Sequence, residues 1–330
     1  MQPPKTGQKT YWHLMDRRKI PSDYEIVGSR LHYYPQCGFA VDTPVSEWYR
    51  RHQPPVGPGD EPMRDPQATT YASYVRRKRE QEIHLERLCH APDQTLPADA
   101  ARDLWNRCVA PARYPLHGLQ MAAAYCGSLA PWGRLTVTLG LQAADEMQRV
   151  HRLSYRLRQM QSAWPQLGTD ALANWEQAPY WQGMREAVER LLVSYDLPEC
   201  FFALNFVVKP IWESVLLGQA ADLARRAGDG VLAALLACFA EDSDWHAACA
   251  DEALSALLQQ KLVAPGDLAA ILPRWRALAL RAASELSNAL DAADGAPPVG
   301  QARVDGALAR CNARWQAHGL TRGAEEVRNA

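Results

Sequence analysis

Two stretches of helical composition each contain half of a motif that binds a pair of metal ions. Diiron helical bundles place a glutamate on each of two helices and a Glu-x-x-His pair on each of two others, because residues three apart lie on one helix face. Glu146 is followed three residues later by Arg149, where the motif requires histidine. His246 is preceded three residues earlier by Ser243, where the motif requires glutamate. Neither stretch therefore supplies a complete pair of metal ligands.

Other polar residues offer an alternative set of ligands. His117 lies on an earlier predicted helix and Glu213 on a later one, so both could join the two surviving ligands around a metal ion. Arg149 argues against this, because a guanidinium is always cationic and would repel metal ions from the same pocket. The sequence favours hydrogen bonds and ion pairs inside a bundle core instead. His117 and Lys209 lie where the first and third helices would need carboxylates, so none is expected to match there.

Other catalytic motifs are missing from the sequence. It contains no glycine-rich phosphate loop, no GxSxG and no HExxH. A formal net charge of −1 gives no reason to expect nucleic acid or an anionic membrane as a partner, and no apolar run approaches the roughly 20 residues of a membrane span. Eight scattered cysteines without a CxxC pair predict reduced, buried thiols. The first ten residues lack the apolar stretch of a secretory signal, so a cytoplasmic protein is predicted.

From Gln67 onward the composition predicts an all-α fold. Runs with apolar residues at helical spacing are separated by short breaks rich in proline and glycine, and no alternating strand pattern lasts more than a few residues. Long helices joined by short breaks predict a helical bundle over residues 67–330. Pro115, Pro210 and Pro273 lie inside helical stretches, and each is expected to kink its helix or start a new one.

Residues 1–66 are predicted to form an extended arm. They contain ten of the 23 prolines, which prevent a long helix. They also contain aromatic residues that a disordered tail would lack and that need burial against another surface. The candidates for contact with a partner chain are Trp12, Tyr24, His32, Tyr33, Trp48 and Tyr49. Eleven tryptophans in the whole chain also favour a subunit with extensive contacts.

An ordered set of short motifs runs from about residue 11 to residue 290. It comprises Trp12-His13-Leu14, Pro21-Ser22-Asp23-Tyr24-Glu25-Ile26-Val27, Leu31-His32-Tyr33, Trp48-Tyr49, Asp65-Pro66, Arg113-Tyr114, His117, Leu119-Gln120-Met121, Trp181-Gln182-Gly183 and Asn205-Phe206-Val207-Val208-Lys209-Pro210. Individually the motifs are weak, but as an ordered set they are specific. On them the chain resembles the β subunits of soluble bacterial multicomponent monooxygenases, especially the toluene and alkene monooxygenases.

This resemblance implies a ferritin-like subunit without an active site of its own. In the family a catalytic α subunit holds the diiron centre and assembles with β and γ subunits as an (αβγ)₂ hydroxylase. An effector protein, a ferredoxin with an iron–sulfur cluster and an NADH-dependent flavin reductase complete the system. Glu146, Arg149, Ser243 and His246 are then degenerate remnants of an α-type site. The implied function is support of the α subunit while it oxygenates small aromatic or alkene hydrocarbons with O₂ and NADH-derived electrons.

Two further hypotheses stay open at this point. The chain could be an autonomous helical metalloenzyme with a displaced iron site, or a helical scaffold protein unrelated to oxygenases. Iron content and co-purifying partners distinguish the three. The Pro- and Gly-rich residues 53–63 and the Ala-rich residues 247–290 depart from the toluene-type pattern. The substrate is therefore left open among toluene, benzene, phenol, an alkene and another small hydrocarbon.

Overall fold

All regular elements in the residues that the structure describes are helices. The computed structural model describes residues 44–54, 62–90, 99–294 and 298–320. In chain order the α-helices are α1 (Pro44–His52), α2 (Tyr71–Cys89), α3 (Asp99–Leu104), α4 (Ala110–Leu129), α5 (Gly133–Met160), α6 (Ala171–Gln177), α7 (Pro179–Leu192), α8 (Leu197–Phe202), α9 (Lys209–Glu213), α10 (Ala220–Arg226), α11 (Gly230–Gln259), α12 (Pro265–Asp294) and α13 (Gly300–Ala317). The predicted all-α class is confirmed.

Helix boundaries coincide with local capping signals. Thr70 precedes α2 and forms a capping box, in which its hydroxyl accepts from the Ser73 amide at 3.1 Å while the Ser73 hydroxyl accepts from the Thr70 amide at 2.9 Å. Asp229 caps α11 by accepting from the Leu232 amide at 3.0 Å. Gly228, just before it, has φ +78°, a conformation that favours glycine. These signals mark where α2 and α11 begin.

Among the described residues, three π-helical segments connect α-helices, and two of them are followed by a proline. The π segment Trp105–Val109 leads into α4, whose second residue is Pro111, and Ala203–Val208 leads into α9, whose second residue is Pro210. Proline has no amide hydrogen to donate to the carbonyl four residues earlier. Pro210 therefore begins a new helical segment, which is one of its two predicted outcomes.

The carbonyls that these prolines cannot reach are bonded by tryptophans from other helices. Trp181 of α7 donates to the carbonyl of Arg107 at 2.9 Å. Trp315 of α13 donates to the carbonyl of Phe206 at 3.0 Å. Arg107 and Phe206 are the residues four before Pro111 and Pro210. Each indole thus supplies a donor where the proline has no amide hydrogen to give. A third π segment, Ser214–Gln219, has no such proline.

The core contains most of the large aromatic side chains. Among the described residues, six tryptophans are at most 1% exposed: Trp105, Trp181, Trp212, Trp245, Trp275 and Trp315. The tryptophan excess was expected to indicate extensive contacts with partners, and for these six that expectation is wrong. They pack inside the bundle because its long helices enclose enough volume for large rings. The described cysteines are free thiols, and six of the seven are buried.

One helical run is long and apolar enough to cross a membrane by length and composition alone. It spans Leu197–Arg226, but 89% of its most apolar window is buried inside the protein. Burial against neighbouring helices is what a core helix requires, and this run packs against α11, α12 and α13.

The chain divides into two units between Arg51 and His52. In the first unit the described residues 44–51 belong to α1, where Trp48 and Tyr49 are 40% and 37% exposed. The other candidates for partner contact in the predicted arm, which are Trp12, Tyr24, His32 and Tyr33, lie outside the described residues. The arm over residues 1–66 and its boundary stay predictions.

Candidate functional site: a buried ion cluster

Three helices bring a set of ionic side chains together in the core. α5 contributes Glu146 and Arg149, α9 contributes Lys209 and Glu213, and α11 contributes Ser243. We call these five residues the ion cluster. Glu146 and Arg149 are 0% exposed, and Lys209 and Glu213 are 3% and 6% exposed. The i,i+3 spacing on α5 and the i,i+4 spacing on α9 put both members of each pair on one helix face.

Arg149 is the centre of the ion cluster. Its Nη1 lies 3.0 Å from Glu146 Oε2 and 2.6 Å from Glu213 Oε1. Its Nη2 donates to the Ser243 hydroxyl at 2.7 Å and to the carbonyl of Phe239 at 2.6 Å. One guanidinium therefore ties α5 to both α9 and α11. Such charge-assisted bonds are stronger than neutral ones, and more so where water is excluded.

Lys209 completes the charge balance of the ion cluster. Its ammonium donates to Glu213 Oε1 at 2.7 Å and also contacts Glu146. Two cations thus face two carboxylates. Burial raises the pKa of Glu213, but Lys209 and Arg149 outweigh burial and lower that pKa to about 2. The carboxylate is therefore ionised at neutral pH.

A second polar network, the Asp145 network, lies next to the ion cluster. Asp145 Oδ1 accepts from the Tyr74 hydroxyl at 2.7 Å and lies 2.7 Å from the Lys78 ammonium. Asp145 Oδ2 lies 2.9 Å from His246 Nε2. Lys78 also lies 2.5 Å from Asp242 Oδ2. These contacts join α2 to α5 and α11.

His246 is a neutral histidine in this network. Burial lowers its pKa; the hydrogen bond to Asp145 raises it, but Lys209 and Arg149 add to the effect of burial, and the result is about 4. Burial raises the pKa of Asp145, yet His246 and Lys78 outweigh burial and hold that pKa below its ordinary value. At neutral pH, Nε2 therefore carries the hydrogen and donates to Asp145. The buried Nδ1 has no hydrogen-bond partner among the described residues.

The structure brings most of the predicted site residues together. His117 is the exception, and the prediction about the third helix needs correction. Glu146, Arg149 and Ser243 share the ion cluster, whereas His117 is exposed on α4 and takes no part. The expectation that the third helix lacks a carboxylate is wrong. Glu213 lies one turn beyond Lys209 and reaches the cluster, because residues four apart lie on the same helix face.

The ion cluster does not fit a pair of metal ions. Arg149 and Lys209 already neutralise the two carboxylates and fill the space between them. Two fixed positive charges would repel divalent or trivalent cations at the same place. Within the described ranges, no group of three or more histidine, cysteine, aspartate or glutamate side chains is arranged to hold a metal ion.

Sequence reasoning missed the residues that α2 contributes. Tyr74 and Lys78 lie in a helix with many charges, and neither belongs to a motif that indicates a site. Their i,i+4 spacing puts them on one side of α2. Nothing local indicates that this side faces Asp145, 71 residues beyond Tyr74. The contact depends on how α2 packs.

Comparison with known proteins shows the family of the chain. A family model described as methane/phenol/alkene hydroxylase matches residues 61–261, which include the whole ion cluster. The chain belongs to this hydroxylase family. Within the family, the chain is 30% identical over 296 residues to the hydroxylase component subunit beta of the toluene-4-monooxygenase system of Ectopseudomonas mendocina. That match covers 84% of this chain and 89% of the relative. It confirms the resemblance to hydroxylase β subunits that the sequence motifs indicated.

Solved structures from the hydroxylase family have the same fold. A chain from a structure of toluene bound in the resting active site of toluene 4-monooxygenase aligns with a TM-score of 0.71 and 27% identity, covering 88% of this chain and 99% of that one. A chain of xenon-pressurized phenol hydroxylase from Pseudomonas sp. OX1 aligns with a TM-score of 0.69, covering 97% and 96%. At 17% identity, the second likeness concerns the fold alone. The predicted ferritin-like helical class is confirmed.

Proposed function

We propose that this chain is the non-catalytic β subunit of a diiron monooxygenase hydroxylase. A separate α subunit would hold the diiron centre and oxygenate small aromatic or alkene hydrocarbons with O₂ and NADH-derived electrons. The observation that carries the proposal is the ion cluster. Arg149 and Lys209 occupy the space between Glu146 and Glu213, where a catalytic bundle of this kind would need metal ions. Glu146, Arg149, Ser243 and His246 are then degenerate remnants of a metal site.

The proposed role of the chain is to keep the helices of its partner in place. A diiron site works only if ligands from several helices keep their geometry, so a rigid neighbouring subunit supports it. The ion cluster and the Asp145 network cross-link α2, α5, α9 and α11 by charged hydrogen bonds. A bundle linked in this way resists relative sliding of its helices, which suits it to a bracing function.

The partners follow from the same proposal. The chain would assemble with the α subunit and a γ subunit as an (αβγ)₂ hydroxylase in the cytoplasm, with no nucleic acid and no membrane bound. An effector protein, a ferredoxin with an iron–sulfur cluster and a flavin reductase would serve the assembled complex. Support comes from the name of the curated relative, which is one subunit of a hydroxylase component.

Expression with and without the partner subunits tests the proposal. The full chain is produced alone and together with the α and γ subunits, in both cases with ferrous iron, and iron per chain is measured after size-exclusion chromatography. We expect less than a tenth of an iron atom per isolated chain, a complex that contains all three subunits, and two iron atoms per α subunit. Two iron atoms in the isolated chain would instead support an autonomous metalloenzyme. A folded chain with neither iron nor partner would support a helical scaffold protein.

A further inference from the structure

A cavity of about 370 Å³ lies beside the ion cluster, between the run Leu197–Arg226, α11 and α13. Its walls are mostly apolar and include Pro210, Leu217 and Ala240. Pockets of this volume with apolar walls and a few polar groups are typical small-molecule sites. At roughly 30 Å³ for each water-sized group, the cavity can hold about a dozen heavy atoms.

One wall of the cavity is cationic. α13 contributes Arg303, Arg310 and Arg314, whose spacing of seven and four residues puts them on one helix face. Arg314 is paired with Asp251 at 3.0 Å. Arg303 bonds to Asp222 through Nη2, but its buried Nε has no acceptor among the described residues. Arg310 is exposed and forms no hydrogen bond or ion pair with any described residue.

Within the described part of the chain, the carboxylates near the cavity leave Arg310 without a counter-charge. Glu213 lines the cavity, but its charge is balanced by Arg149 and Lys209. Asp244 on α11 is the one other carboxylate among the described lining residues, and it forms no ion pair with Arg310. A guanidinium that has no partner among the described residues, such as that of Arg310, is a group that recognises a carboxylate.

We propose that this cavity binds a small amphipathic carboxylate with an apolar body of about eight carbons. The carboxylate accepts from Arg310, and Arg303 and Arg314 add positive charge to the same wall. The apolar body lies against Pro210, Leu217 and Ala240. Burial of the body removes apolar surface from water, while the guanidinium groups fix the orientation of the head. The ligand lies beside the ion cluster without displacing it.

Calorimetric titration of the full chain with three eight-carbon probes tests the charge requirement. The probes are octanoate, the neutral octanamide and the cationic octylamine. We expect octanoate to bind one per chain and at least about tenfold more tightly than octanamide, because it forms charge-assisted hydrogen bonds. Octylamine should bind most weakly. No binding of octanoate at millimolar concentration, or equal binding of octanoate and octanamide, would overturn the proposal.

Four variants test the location. Arg310→Gln should weaken octanoate about tenfold and leave octanamide unchanged, whereas Arg276→Gln, an exposed arginine on α12 away from the cavity, should change neither. Asp244→Asn should tighten octanoate, since it removes a nearby negative charge. Ala247→Phe, which fills the cavity, should abolish binding of both probes.

Urea denaturation identifies variants that fail to fold. In that case Arg310→Lys replaces Arg310→Gln, and Ala240→Phe replaces Ala247→Phe. An unchanged octanoate affinity in Arg310→Gln would contradict the assigned head-group site. Weaker octanoate binding in Asp244→Asn would contradict an anionic ligand. Wild-type affinity in Ala247→Phe would show that octanoate binds elsewhere on the chain.

Discussion

Arg149 has four acceptors and no contact with solvent, so its removal leaves two carboxylates with one cation. We predict that Arg149→Met lowers the free energy of unfolding by about 3–5 kcal/mol, the usual cost of breaking a buried ion pair. Urea denaturation followed by circular dichroism measures this. Arg276→Met, which changes an exposed arginine, should stay within about 0.5 kcal/mol of wild type.

A double variant separates charge imbalance from lost packing at the same site. Arg149→Met with Glu213→Gln leaves Glu146 and Lys209 as a balanced pair. Its cost should be smaller than the sum of the two single variants by about 1–3 kcal/mol, because contacting charges are coupled. Additive costs would mean that the cluster acts through packing alone.

His246 should make stability depend on pH between its two pKa values. Its ordinary pKa is 6.5 and the folded pKa is about 4, so in this range the unfolded chain binds a proton that the folded chain does not. Stability from this group is therefore complete above pH 6.5 and is lost as the pH falls toward 4. The total loss is on the order of 3 kcal/mol.

Comparison with a variant isolates this contribution. Between pH 7 and pH 4.5 the wild type should lose more free energy of unfolding than His246→Gln does, while His84→Gln, which changes an exposed histidine, should follow the wild type. Parallel pH profiles for wild type and His246→Gln would mean that His246 titrates normally in the folded protein.

At the scale of elements, the π segments depend on donors from distant helices. Trp315→Phe removes the donor to the Phe206 carbonyl, and we predict a cost of about 1–3 kcal/mol from that unpaired group. Trp212→Phe is the matched control, since Trp212 is equally buried but its indole N–H has no partner among the described residues. Urea denaturation should therefore show a larger cost for Trp315→Phe.

Proline substitution provides a rescue of the same contact. Pro210→Ala restores an amide hydrogen four residues after Phe206, so it should recover stability in the Trp315→Phe background more than in the wild type. If Pro210→Ala has the same effect in both backgrounds, the indole and the proline are not linked through this carbonyl.

The helices could be predicted from sequence because their ends are marked locally. A capping residue or a glycine stands at the start of α2, α5 and α11, at Thr70, Gly133 and Asp229 respectively. The π segments were not predicted, since Pro210 indicates a break but not which carbonyl is released or that Trp315 will bond it. In the ion cluster, Glu146 and Arg149 were visible from their spacing on one helix. The approach of Tyr74 and Lys78 depends on tertiary packing, which the spacing on α2 does not specify.

For the protein as a whole, we expect the predicted arm to make the main contacts with partners. Proline-rich residues 1–66 carry aromatic rings that each bury about 150–250 Å² when covered. We predict that deleting residues 1–50 abolishes co-purification with the α subunit and leaves most helical circular dichroism intact. Assembly of the truncated chain at wild-type affinity would contradict an interface role.

Point variants in α1 give a finer test of the same idea. Trp48→Ala and Tyr49→Ala change side chains that are more than a third exposed in this chain, and each should weaken assembly. Tyr71→Ala, at 77% exposure on α2, is the matched aromatic control and should assemble normally.

The balanced charges of the ion cluster also bear on how the protein is made. In many metalloproteins the binding free energy of the ion contributes to the folding free energy, so the apoprotein folds fully only when the metal binds. Here the positive charges opposite Glu146 and Glu213 belong to Arg149 and Lys209 of the same polypeptide, so they are present as soon as the chain is synthesised. Closure of α5, α9 and α11 around them therefore needs no metal supply. On the proposed function, we therefore expect a cell that is short of iron to accumulate this chain in folded form, ready for assembly when iron returns.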